Sequence, residues 1–241
     1  MAAFTYSDCW RTVRLYCPSA PTFLTREWVN VAWKQLLAAR RWGFMRGEAT
    51  ITTDGIDPLV VMPADFASFK VVVDQARQVK LCTTHSLDDL LKADPSLNST
   101  GPPGALVAIG PSSDPLTLGQ AVYRAYPNGA ATLTVIYNRQ GARLDDTSVL
   151  TGVLADGGEV LIAGALAQAA LWPGTGDKTN PYFNAGLAQT KTEEFKYGVQ
   201  MLSLRDDEQY PDDLWDSLPE ADCGCLSSGG SARETDAVTW W

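Results

Sequence analysis

The sequence predicts an α+β fold: helices from the two ends of the chain form a bundle, and an antiparallel β-rich unit is inserted between them. Three observations predict it. Apolar residues recur at helical spacing over 25–42 and again over 158–206. Between them, over about 48–145, the apolar runs are short, β-branched and bounded by Gly, Pro, Asn and Asp. Finally, 241 residues that are 45% hydrophobic and 20% charged can bury a core without disulfide or metal staples.

The first 21 residues read as irregular, because Cys17-Pro18 and Ala20-Pro21 favour extended turns. A helix over 25–42 follows, with Thr25 as N-cap, Glu27 in the first turn, Val29, Trp33 and Leu36 on one face, and Gly43 as C-cap. Strands are expected at 49–53, 59–62, 69–73, 105–109, 116–118, 121–125 and 132–137. The Asn128-Gly129 dipeptide predicts that 121–137 is a hairpin. Ser86 caps a short helix over 86–91, and Ser96–Gly104 is a loop. Over 158–171, Ala163-Gly164-Ala165, Ala167 and Ala169-Ala170 keep side chains small enough for close helix approach, which predicts the most buried helix. Asn180-Pro181 opens the last helix, to about 206, with Phe183, Leu187, Tyr197, Met201 and Leu204 as its apolar stripe and Phe195 and Leu202 flanking it. Helix 25–42 is expected to cover its stripe on both of these helices. The organisation is therefore 1–47 as N-terminal segment and first bundle helix, 48–147 as inserted β-rich unit, 148–206 as bundle helices, and 207–241 as an acidic, aromatic-bearing arm.

Charge separates along the chain. The total is −9, which excludes a broad phosphate-gripping face. Residues 1–46 carry seven cations against Asp8 and Glu27, a net of +5, while 205–222 carry eight carboxylates against Arg205, a net of −7. The acidic end is either a solvated tail or a contact with neighbouring subunits or partners. In the second reading Arg40, Arg41, Asp206, Asp207 and Glu208 are the subunit-contact candidates. The first ten residues have no basic start and no apolar run, so no signal peptide is expected, and no apolar run reaches the roughly 18–20 residues of a membrane span.

Chemistry-bearing clusters are sparse. Cys9, Cys17, Cys82, Cys223 and Cys225 are scattered, with His85 as the single histidine, which fits free thiols better than a zinc site. Cys82 and His85 leave a cysteine-dependent enzyme as a remote alternative. Asp145-Asp146 and Asp206-Asp207-Glu208 lack a calcium-loop frame, and no phosphate-binding glycine motif occurs. No metal, cofactor or catalytic residue is assigned, and the chain is not expected to be an enzyme. Eight tryptophans are many for this length. Trp215, Trp240 and Trp241, with Tyr210, lie in acidic or Gly/Ser-rich surroundings that cannot form a core, and read as anchors of a docking arm.

The order of motifs resembles the head-to-tail adaptor proteins of tailed bacteriophages, the group similar to the tubular gatekeeper adaptor of T7-like podophages. The residues that carry the resemblance are Arg40-Arg41-Trp42 at a helix end; Met62-Pro63-Ala64-Asp65-Phe66 before a strand; the short helix at Ser86; and Gly101–Ile109, with Leu106 where a Tyr is common. Tyr126-Pro127 before Ala131–Tyr137, Leu161–Ala170, and a last helix ending in Asp206-Asp207-Glu208 complete the set. It covers about 25–210. The resemblance implies a structural virion protein at the head–tail junction, made in the host cytoplasm. It implies a twelve-fold ring beneath the portal that extends the DNA channel and receives tail-tube, nozzle or other tail proteins. Genomic DNA would pass without sequence-specific binding, and no membrane is involved. A stopper or tail-completion protein is the alternative. Deleting 207–241 is expected to leave the core folded and to abolish attachment.

Overall fold

The computed structural model describes residues 4–150, 152–155, 157–175, 178–211 and 217–221. The described residues divide into two compact units, one drawn from 4–47 and 137–217, the other from 48–136 with 218–221.

The first unit is a helix bundle. Its first helix, α1 (Tyr6–Tyr16), occupies a segment expected to be irregular. Thr5 and Asp8 form a reciprocal capping box, with Thr5 N–H donating to Asp8 Oδ2 at 3.0 Å. Tyr6, Cys9, Trp10 and Val13, at i, i+3, i+4 and i+7, are buried. The prolines that suggested irregularity fall after this helix and at the N-cap of the next, α2 (Thr22–Ala39), where neither disturbs a helix interior. Thr25 is thus inside α2, not at its cap, and its hydroxyl donates to Thr22 O at 2.9 Å. The helix ends at Arg40, which is extended; Gly43 instead opens a 3₁₀ turn, Gly43–Met45. Trp42 folds back into the core and donates from Nε1 to Leu36 O at 2.8 Å.

Two further helices complete this unit, α4 (Gly158–Leu171) and α5 (Ala185–Gln209). Glu159 is the one charged residue of α4, and the helix packs against α1, α2 and α5. Gly164 shows why its residues are small: a Cβ there would stand 2.8 Å from both Ala32 Cβ on α2 and Phe195 Cδ2 on α5. The capping residue of α5 is Asn184, not Asn180, and accepts from Leu187 N–H at 3.1 Å. Asn180 is buried and closes α4 instead, donating from Nδ2 to Ala169 O at 2.9 Å and Trp172 O at 2.7 Å. Between α4 and α5, β8 (Gly174–Thr175) and β9 (Lys178–Thr179) form a two-residue antiparallel ladder. Asn30, almost wholly buried, joins α1 and α2 to the returning chain: Nδ2 donates to Tyr6 Oη at 3.0 Å, and Oδ1 accepts from Leu144 N–H at 2.9 Å.

The second unit carries two sheets. One has the order β1 (Arg46–Asp54), β7 (Ala130–Arg139), β3 (Phe66–Asp74), β4 (Val79–Lys80); the other has β2 (Leu59–Val61), β6 (Ala121–Tyr126), β5 (Ala105–Pro111). Phe66 and Phe69 of β3 meet Tyr123 of β6, with ring centroids 5.8 and 4.6 Å away. The short helix α3 (Leu87–Ala93), capped by Ser86 with Asp89, seats Leu90 on Val107 and Tyr126. Two strand expectations fail here. Residues 116–118 lie in the loop that closes the β5–β6 hairpin, with Leu116 and Leu118 exposed. The expected 121–137 hairpin does not form, because β6 and β7 belong to different sheets. Asn128-Gly129 instead binds the end of β1: Asn128 Nδ2 donates to Gly55 O at 2.9 Å, and Thr53 Oγ1 donates to Gly129 O at 2.6 Å.

The far end of the chain also enters this unit. Lys80 N–H donates to Pro219 O at 2.8 Å and Ala221 N–H to Lys80 O at 2.7 Å, so 219–221 lies parallel along β4.

Candidate assembly surfaces

The residues expected to contact neighbouring subunits gather at one end of the bundle. Asp206, Asp207 and Glu208 lie in the last turn of α5, where negative charge opposes the helix dipole. Two of the three have partners in the same chain that offset this. Asp206 is 1% exposed, and its carboxylate accepts from Gly43 N–H at 2.6 Å and Phe44 N–H at 3.1 Å, satisfying the start of the 3₁₀ turn. Arg40 grips Asp207 with two hydrogen bonds, 3.0 and 2.5 Å, and donates to Ser203 O at 3.3 Å. That pair, together with the Arg46 charge, holds the Asp207 carboxyl below its ordinary value. Its side chain is 59% exposed, so the pair contributes little to stability. Arg41 and Glu208 are exposed. The opposite charges legible in the sequence thus meet within one subunit at Arg40 and Asp207.

The docking-arm residues divide in the same way. Tyr210 is half-buried against the bundle core, with its Cβ where a Gly43 side chain would be, and its carbonyl accepts from Arg46 Nη2 at 3.1 Å. Its ring is committed to its own chain. Trp215, Trp240 and Trp241 lie outside the described residues. Because Asp207, Tyr210 and 219–221 all hold parts of the fold, deletion from 207 removes native contacts. The expectation of an intact core holds only for a cut after Ala221.

The surface that sequence reasoning missed is on α5. Ala188, Phe195, Leu202 and Asp206 are the buried residues of this helix. Tyr197, Met201 and Leu204, expected in its apolar stripe, are 65%, 41% and 58% exposed. The helix therefore has two apolar faces, one on α4 and one outward. A groove of about 300 Å³ runs beside the outward face, lined by Glu159, Val160 and Ala163 of α4 and by Glu194, Tyr197 and Met201 of α5. The signal was present as two interleaved series, 188-195-202 and 197-201-204, of which only one can face α4.

The remote catalytic reading finds no constellation. His85 is half-buried and its ring makes no hydrogen bond among the described residues, and Cys82 lies where backbone bonds with Gly104 and Leu106 tie it to β5. Burial pushes the Cys9 thiol up to about 12 and raises that of Cys17. The thiolate is the reactive species, so alkylation at pH 8 is expected to modify Cys82 at an ordinary rate and to spare Cys9 and Cys17 until the protein unfolds. Peptide mapping after iodoacetamide reads this out; a fast-reacting Cys82 at neutral pH would revive the enzyme reading.

Among the described residues no group of three or more His, Cys, Asp or Glu is placed to hold a metal ion, and no helix is long and apolar enough to cross a membrane. A bundle with a second apolar helix face turned outward has the features of a protein built for assembly. Comparison with protein families is specific: the model of the SU10 adaptor protein family matches residues 4–214, and the chain belongs to that family. The chain is a phage head-to-tail adaptor, as its motif order implied, and the match does not single out the T7-like group. Trp240 and Trp241 lie beyond the matched residues. No curated protein matches the chain.

Proposed function

We propose that this protein forms a ring beneath the portal, extends the DNA channel and presents the platform on which the tail assembles. The observation that carries the reading is the outward apolar face of α5, Tyr197, Met201 and Leu204, on a chain of an adaptor family. Ring formation covers that face; a lone subunit leaves it in water. A closed ring uses heterologous contacts repeated by rotation. Arg41 and Glu208 are both exposed at the same end of the bundle, where Arg40, Asp206 and Asp207 are engaged at home. The charge suits the passage of DNA. Twelve copies at −9 carry on the order of −100, and few cations are left to hold phosphates. The arm beyond Ala221, with Trp240 and Trp241, and the Trp215 segment dock on the portal or a neighbouring subunit.

The test is the mass of the purified protein alone and after mixing with purified portal, with full-length chain and with a chain ending at Ala221. The full-length chain is expected to join the portal as a ring. The shortened chain is expected to unfold at the same temperature but not to attach. Full-length chain that ignores the portal and binds only preformed adaptor–portal complexes would mark a stopper instead; normal attachment of the shortened chain would overturn the docking role of the arm.

A further inference from the structure

We infer that the outward face of α1 from one copy seats in the α4–α5 groove of the next copy. The inference rests on the ring reading and names the surfaces that would make it.

The donor face is well defined. Arg11, Arg14 and Leu15 follow one another at i, i+3 and i+4, opposite the buried residues of α1, and Pro18 lies just past the end of the helix. Leu15 is 81% exposed, an apolar side chain flanked by two cations. Arg14 makes no ion pair among the described residues. The acceptor is the groove already described, apolar along Val160, Ala163, Tyr197 and Met201, with Glu159, Glu194 and Arg205 as its charged lining residues, a net negative set. Glu159 is exposed and also makes no ion pair among the described residues; Glu194 is 47% exposed beside Lys191. An arginine-flanked leucine thus matches an apolar groove of net negative edge, and among the described residues neither Arg14 nor Glu159 has an ion-pair partner.

A chain cannot fill its own groove. Gly158 faces α1, where Phe4 and Cys9 lie against it, whereas Val160 faces Gly198 of α5. Two residues along a helix are about 200° apart around its axis, so donor and acceptor lie on opposite sides of α4. That arrangement makes the contact heterologous, the kind that closes rings by rotation. The heights also match. Cys9 lies beside Gly158, and Cys17 beside Asn180, which itself bonds Ala169. α1 and α4 therefore run in the same direction, with Arg11–Leu15 level with the groove. A rotation about an axis parallel to the helices brings the two together without a shift along that axis.

The test uses full-length chain with portal and reads mass by light scattering. Leu15→Asp spoils the donor and Tyr197→Asp the acceptor; both positions are exposed, so unfolding temperature is expected to stay unchanged. Each variant alone is expected to need at least about tenfold more protein to assemble, because an unpaired carboxylate is buried at the contact. An equimolar mixture retains one intact pairing and is expected to stop at dimers. As a second pair, Arg14→Glu and Glu159→Arg are each expected to weaken assembly and together to restore it. Wild-type rings accompanied by unimpaired Leu15→Asp rings would overturn the assignment of surfaces and leave the ring standing. Wild-type chain that never assembles, with or without portal, would overturn the ring itself.

Discussion

Replacing Asp206 with alanine is expected to lower the unfolding free energy by about 2–4 kcal/mol, among the larger effects a single side chain can have here. The carboxylate is almost inaccessible, and both of its oxygens receive backbone N–H groups of the 3₁₀ turn that follows α2. Truncation leaves Gly43 N–H and Phe44 N–H without acceptors in a site that water does not readily reach. Tyr210 Cβ packs against Gly43, so a loosened turn also disturbs that contact, although the backbone bond from Tyr210 N–H to the carbonyl of residue 206 survives the substitution. Asparagine retains one acceptor oxygen and is expected to lose about half as much. Arg40→Ala gives the contrast: it breaks an ion pair whose Asp207 side chain is mostly exposed, and is expected to cost clearly less than the loss of the buried carboxylate. Urea denaturation should show the midpoint falling for Asp206→Ala with an unchanged slope. Equal stability of Asp206→Ala and Arg40→Ala would show that the buried carboxylate does not organise the turn.

How much of this was legible depends on whether the signal was local. The cap at Ser86, the small residues of α4 and the β-branched runs of β1, β3, β5 and β7 are local signals, and each gave its element. The missing helix α1 was also locally encoded, by Thr5 and Asp8 and by the spacing of Tyr6, Cys9, Trp10 and Val13, but Pro18 and Pro21 drew the reading toward irregular chain. Other features depend on partners far away in sequence. Asn128-Gly129 marks a turn without specifying which strand receives it, and the receiver is the end of β1. Asn180 and Asn184 are both plausible caps; only the nearness of Ala169 and Trp172 assigns Asn180 to the previous helix. Charge complementarity between the chain ends was readable, but its sign alone cannot distinguish a pair within a subunit from one between subunits. The outward face of α5 was hidden for a related reason. Large apolar residues read as core, whereas close approach at Gly164 and Gly198 selects which stripe turns inward.

That close approach sets the second large effect. Gly164→Leu is expected to destabilise the bundle by about 3 kcal/mol or more, since overpacking a site without space forces helices apart. Already the first carbon would lie 2.8 Å from atoms on two different helices, Ala32 Cβ and Phe195 Cδ2. Gly164→Ala separates the opposing terms. Alanine gains about 1 kcal/mol of helix propensity, while the crowding costs about 1–3 kcal/mol, so a small net loss is expected. Pairing it with Phe195→Leu removes the ring atoms that crowd the new methyl, although that change carries a packing cost of its own. The two substitutions are therefore expected to be less than additive, with a favourable coupling of about 1 kcal/mol in a double-mutant cycle. Strict additivity would mean that α4 and α5 already have room between them at this level. Gly198 against Val160 lies one turn further along the same contact, so a displaced α5 also widens the groove. Gly164→Leu protein that remains folded is accordingly expected to assemble poorly, although residue 164 is buried within its own bundle.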